Sequence, residues 1–216
     1  SLDSLKNFGD FEIEQQSKIR KLGAKNLTKS WTSIPHVTHF EEIDISLIEQ
    51  ERSELNKTSE TKLTPLSYLV MKVINALQEF PQFNAALVGE GEIMLRKYFN
   101  IGIAVDTKDG LLVPVIKEAD KLNITEVANE IIMLAEKAKN KKLLEKNLSG
   151  GTFSISSLGP MGGVGFTPII NPPEVAILGV SRAKKVPFLE KDKVVEKTIL
   201  PVALSYDHRV INGADA

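Results

Sequence analysis

Apolar residues return at helical spacing most clearly in TPLSYLVMKVINALQEF, where Leu66, Leu69, Val70, Val73, Ile74 and Leu77 recur every three or four positions. That period lays one broad apolar stripe along a helix. Thr64 supplies an N-cap, and Pro65 suits the first helical position, where its missing N–H costs nothing. A second stripe, Ile124, Val127, Ile131, Leu134, Ala135 and Ala138, predicts a long helix through ITEVANEIIMLAEKAKNKK with Thr125 as its cap. Its lysines fall late, where the helix dipole favours cations. DISLIEQERSELNK reads as a further helix capped by Asp44 or Ser46, entered from a strand-like stretch containing Ile34, Val37 and Phe40.

Elsewhere the pattern is that of strands. Tyr98 to Val105 and Leu111 to Ile116 are rich in β-branched residues and separated by DTKDG, which predicts a hairpin turning at Asp109-Gly110. GTFSISSL, EVAILGVS and TILPVALSY read as strands, with a glycine-rich loop from Gly159 to Gly165 and a charged turn near Glu190 between them. Residues 1–30 are polar, mixed in charge and without sustained period, and are expected to form a linker segment leading into a single domain over 31–216. Hairpins combined with two long helices predict an α+β two-layer sandwich rather than a doubly wound sheet.

Composition narrows the chemistry. With 42% hydrophobic and 25% charged residues among 216, the chain has the apolar content of a globular domain that folds without staples. It contains no cysteine, which removes disulfides, a thiolate nucleophile, iron–sulfur ligation and every zinc site that uses sulfur, so any reactive thiol belongs to a substrate. A net charge of −1 offers no clustered basic surface for nucleic acid or an anionic membrane. No run approaches the roughly 20 apolar residues of a membrane span, and SLDSLKNFGDFEIEQ lacks a basic start and an apolar core. A cytoplasmic location is expected.

Only His36, His39 and His208 titrate near neutrality in their ordinary state. His36 and His39 stand three apart in IPHVTHF; on extended chain they point to opposite faces, which argues against shared metal ligation and for structural roles. His208, in SYDHRVINGADA, follows directly on a strand, where a rigid scaffold presents reactive groups. Asp207 is next to it, but adjacent residues on extended chain diverge, so a dyad of sequence neighbours is not expected. Ser154, Ser156 and Ser157 lack the G-x-S-x-G setting of a hydrolase elbow. Ser154 and Ser156 share a strand face with Thr152, and one hydroxyl there is placed to donate to a developing oxyanion. GPMGGVG is followed by prolines rather than by a helix, which argues against a phosphate cradle.

DHRVING resembles DHRxxDG, the active-site signature of the dihydrolipoamide acyltransferase family, the core subunits of 2-oxoacid dehydrogenase complexes. KNLTKSWTSIPHVTHFEEIDIS, NIGIAVDTKDGLLVPVIKEAD, GGTFSISSLGPMGGVGFTPIINPPEVAILGVS and LPVALSYDHRVINGADA are also similar to that family's catalytic domain, in its order and spacing. The resemblance covers residues 15 to 216 and is strongest to the acetyl-transferring members of bacterial pyruvate dehydrogenase complexes, ahead of succinyl- and branched-chain-transferring ones. It implies a chloramphenicol-acetyltransferase-like fold, homotrimers with an active site at each subunit interface, and acyl transfer between dihydrolipoamide and coenzyme A without a metal. It implies His208 as general base and a hydroxyl of the FxISSxG segment as oxyanion donor, assigned by spacing to Ser156, with Ser157 as alternative. Asn212 stands where the family usually has an acid, which makes it a support of loop geometry and leaves a non-catalytic scaffold as the competing reading. The lipoyl group and the contacts with 2-oxoacid dehydrogenase and dihydrolipoamide dehydrogenase subunits are expected on domains outside this sequence. So is a C-terminal helix that joins trimers into a cubic core.

Overall fold

A computed structural model describes residues 2–5 and 8–216, so residues 1, 6 and 7 of the expected linker lie outside the described residues. In chain order the elements are α1 (Leu2–Leu5), α2 (Lys18–Ser33), β1 (His36–Asp44), α3 (Ser46–Leu55), α4 (Pro65–Glu79), β2 (Ala85–Val88), β3 (Glu92–Leu95), β4 (Ile101–Ile103), β5 (Val105–Thr107) and β6 (Gly110–Leu112). There follow β7 (Val115–Ile116), α5 (Ile124–Lys139), α6 (Glu145–Leu148), β8 (Phe153–Ser157), β9 (Ala176–Val180), β10 (Lys184–Glu190) and β11 (Lys193–Asp207).

The main sheet has the order β1-β11-β9-β8-β4-β7, with β10 paired to the first half of β11. β4, β8 and β9 run parallel, and the outer pairs are antiparallel. The apolar stripes of α4 and α5 close over one face, where Val70, Ile74, Val127 and Leu134 meet Ile101, Ile116, Phe153 and Ile155 in one buried cluster. This is the two-layer α+β arrangement expected.

Cap chemistry explains the helix boundaries. Thr64 Oγ1 accepts from the Ser67 amide while Ser67 Oγ accepts from the Thr64 amide, a reciprocal capping box that starts α4 as expected. α5 starts two residues earlier than a cap at Thr125 would allow. Asn123 is its cap, accepting from the Thr125 and Glu126 amides at 2.9 and 3.0 Å, and Glu126 returns the bond to the Asn123 amide. Asparagine with glutamate three residues on satisfies two orphan donors reciprocally, which leaves Thr125 inside the first turn.

The clearest departure is α2, a helix of 16 residues within a segment that reads as linker. Ser17 caps it by accepting from the Arg20 amide and donates to the Asp109 carbonyl at 2.7 Å. Near its other end Ser30 is buried and donates to the Ile170 carbonyl at 2.6 Å. The helix therefore bridges the hairpin tip and the loop before β9. The hairpin itself is split: β4 and β7 pair in the main sheet, β5 and β6 pair beyond it, and the turn centres on Lys108-Asp109 with Thr107 opposite Gly110. β2 and β3 form a separate ribbon that no sequence pattern announced.

Candidate functional site

β8 decides which serine faces open space. Ser154 and Ser156, two apart on one face of the pleat, line a cleft of about 270 Å3. Its walls come from the β5–β6 region (Ala104, Val113), from α2 (Asn26) and from the loop running through Phe166, Asn171 and Pro172. Ser156 Oγ takes part in no hydrogen bond among the described residues, whereas Ser157 projects the other way and its Oγ accepts from the Gly159 amide at 3.4 Å. The pleat thus favours Ser156 over Ser157 as a donor to something in the cleft.

His208 sits in the turn after β11, its ring exposed and its amide donating to the Pro35 carbonyl at 3.1 Å. Its ring lies 6.0 Å from that of buried Tyr206, which is 5.5 Å from the ring of His39 on the neighbouring strand. Asp207 does not orient His208. Its buried carboxylate accepts from Arg209 through Nε at 3.0 Å and Nη2 at 2.7 Å, and that pairing raises the Arg209 pKa. Asn212 is exposed in the same turn, and its carbonyl accepts from the Asp215 and Ala216 amides.

His36 is structural. Its Nδ1 lies 2.9 Å from the Ile34 carbonyl and its Nε2 accepts from the Ile170 amide at 3.0 Å, which together require the neutral ring with its proton on Nδ1. Among the described residues, no three histidine, aspartate or glutamate side chains gather closely enough to hold a metal.

The sheet keeps Ser156 and His208 apart. Strand register runs from Ser156 to Gly179 to Ala203, and His208 lies five residues further along. Two strand steps of about 4.8 Å and five residues at about 3.3 Å put the two Cα atoms roughly 19 Å apart. Within one chain these residues stand at opposite ends of the parallel strands, with Asn212 in the same turn as His208.

A buried polar group that sequence reasoning missed lies near the strand that bears Ser156. Glu174, 3% exposed just before β9, has its carboxyl pushed up to about 7 by burial, against the opposing effects of Ser154, Arg96 and Asn171. Arg96 gives its donors to backbone carbonyls instead: Nε to Asn84, Nη1 to Gly151, and Nη2 to Ala85 and Thr152. Nothing in NPPEVAILGVS distinguishes Glu174 from a surface glutamate, because its burial follows from how the turn before β9 packs against residues distant in sequence such as Gly151.

Comparison with known proteins gives these residues a context. The family described as 2-oxoacid dehydrogenases acyltransferase (catalytic domain) matches residues 8–216. The dihydrolipoyllysine-residue acetyltransferase component of the pyruvate dehydrogenase complex of Cupriavidus necator is 47% identical over 212 residues, spanning 97% of this chain and 38% of that protein. Its counterpart from Pseudomonas aeruginosa is 46% identical over 97% of this chain and 39% of that protein. The chain thus spans less than half the length of these two relatives. Among solved structures, the dihydrolipoamide acetyltransferase of Azotobacter vinelandii superposes with a TM-score of 0.94 at 45% identity, covering 97% of this chain and 88% of that one. That structure belongs to an investigation of a serine, a histidine and an asparagine in the catalytic mechanism; the serine lies 52 residues before the histidine and the asparagine four after it. The same intervals separate Ser156, His208 and Asn212 here. A chloramphenicol acetyltransferase shares the fold at a TM-score of 0.55 and 16% identity, covering 88% of each chain.

Proposed function

The chain belongs to the 2-oxoacid dehydrogenase acyltransferase family as its catalytic domain, and we propose that it transfers an acetyl group between dihydrolipoamide and coenzyme A in a pyruvate dehydrogenase complex. The observation that carries this reading is the triple of Ser156, His208 and Asn212, at the intervals of the three residues investigated in the A. vinelandii acetyltransferase. An asparagine at position 212 therefore gives no ground for a non-catalytic scaffold.

In the proposed reaction the exposed imidazole of His208 takes the proton from the coenzyme A thiol, and the sulfur attacks the acetyl thioester carbonyl on the lipoyl arm. Ser156 Oγ donates to the oxygen that becomes negative. Collapse of the tetrahedral intermediate expels the dihydrolipoamide thiolate, which recovers the proton from the imidazolium. Between an ordinary thiol and an ordinary imidazole, full proton transfer costs roughly 2.7 kcal/mol, a small part of a catalysed barrier. Asn212 holds the geometry of the turn that presents His208.

A spacing of roughly 19 Å cannot serve one reaction, since reacting atoms must come within about 3.5 Å. We therefore place the complete site between two copies, His208 from one and Ser156 from the next, in a homotrimer that builds a cubic core in the longer protein. Contacts with the 2-oxoacid dehydrogenase and dihydrolipoamide dehydrogenase subunits, and the lipoyl group itself, fall to other domains. The assembly belongs to the cytoplasm.

The test is acyl transfer to free dihydrolipoamide from acetyl-, succinyl- and isobutyryl-coenzyme A. Acetyl should be preferred; a preference for either of the others would reassign the complex. Ser156→Ala should lower kcat by roughly 100- to 1,000-fold with little change in KM, and a loss below threefold would remove Ser156 from the oxyanion site.

A further inference from the structure

Glu174 lies where the loop carrying Asn171 and Pro172 turns into the sheet. Its Oε2 has no hydrogen-bond partner, and neither does Ser154 Oγ, which is 1% exposed on the strand that bears Ser156. The fit around the carboxyl is close: a Cβ on Gly151 would come within 2.8 Å of Glu174 Oε1. Arg96 is the charged group acting on it, but four of its five N–H donors go to carbonyls, and among the described residues Glu174 is in no ion pair. Ser154 from β8 and Asn171 from its own loop, both uncharged, are the other groups beside it. On β11 the nearby acid Asp207, whose amide donates to the Val175 carbonyl, is neutralised by Arg209.

A carboxyl buried without a counter-ion is stable in its neutral form, and ionising it draws water or forces its neighbours apart. Here those neighbours are two walls of one cleft. Ser154 stands on the strand two residues before Ser156, and Asn171 stands on the loop opposite.

We propose that Glu174 is a positioning residue for acyl transfer: its neutral, buried carboxyl packs, without a hydrogen bond to either, between the strand bearing Ser156 and the Asn171 wall of the cleft, and ionisation forces the two apart. The proposal rests on the reading of Ser156 as oxyanion donor. Burial pushes the carboxyl up to about 7, so the separation develops as pH rises through neutrality.

The pH profile of acetyl transfer separates this from simple packing. In the wild type kcat should fall roughly 10- to 100-fold between pH 7 and 9 as the carboxyl ionises, with KM little changed. Glu174→Gln keeps the volume and a donor and acceptor but cannot ionise, and should hold its pH 7 activity within about threefold up to pH 9. Superposable profiles for the two proteins would overturn the proposal. If the variant does not fold, infrared spectroscopy of the wild type decides: a protonated buried carboxyl band must be present at pH 6 and gone by pH 9, and its absence at pH 6 overturns the idea. A wild type without transferase activity would instead refute the assigned function, and the infrared band would still decide the state of Glu174.

Discussion

Two variants that are each nearly inactive should restore activity to one another. Ser156→Ala empties one half-site and His208→Ala the other, and register places these halves roughly 19 Å apart along the sheet, too far for side chains of their length to meet in one chain. In a cyclic oligomer with heterologous contacts, each site takes Ser156 from one copy and His208 from its neighbour. Random co-assembly in equal amounts leaves both groups native at a given site with probability one-half times one-half, so turnover per site should reach about one quarter of wild type. With each parent reduced at least roughly 100-fold, that is a gain of about 25-fold over either alone. Co-expression followed by the acetyl-coenzyme A and dihydrolipoamide assay measures it, with separately purified variants mixed after assembly as control. Activity equal to the mean of the parents would refute the shared site and require one chain to bring Ser156 and His208 together.

Other perturbations probe single links. His208→Ala should cost more than Ser156→Ala in the same assay; undiminished activity would exclude it as the base. Glu174 has its carboxyl raised from 4.5 to about 7, so the folded state keeps a proton that the unfolded state has lost, and stability falls as pH rises between those values. The stability of Glu174→Gln relative to wild type should therefore grow by roughly 3 kcal/mol from pH 4 to pH 8 in urea unfolding, and a constant difference would contradict the shift. Thr64→Ala removes half of the α4 capping box and should cost about 1 kcal/mol by the same method, with no change in kcat.

What could be read in advance follows from where the information lies. α4 and α5 were legible because a local period of 3.6 writes their buried faces into the chain, and Thr64-Pro65 writes a start. α2 was not, because Leu22, Leu27 and Trp31 remain exposed and only Ser30 is buried, so no apolar stripe exists to be seen. What seats the helix is a pair of hydrogen bonds to Asp109 and Ile170, far away in sequence. Asn123 and Thr125 are both of capping type, and the glutamate three residues after Asn123 is what separates them. The face of Ser156 followed from strand alternation. Its distance from His208 did not, because that depends on β9 lying between β8 and β11, a pairing order that no local pattern encodes.

Arg96 holds a consequence for how the chain comes together. One guanidinium ties carbonyls at Asn84 and Ala85 to others at Gly151 and Thr152, across more than fifty intervening residues. A lysine, with donors radiating from one point, cannot span that cross. Without the segment that leads into β8, the Asn84 and Ala85 carbonyls keep their donors, but the Arg96 Nη1 and Nη2 groups lack the Gly151 and Thr152 acceptors and are wet or unsatisfied. The strand that bears Ser156 thus also completes the shell of a cation buried in the earlier half of the chain.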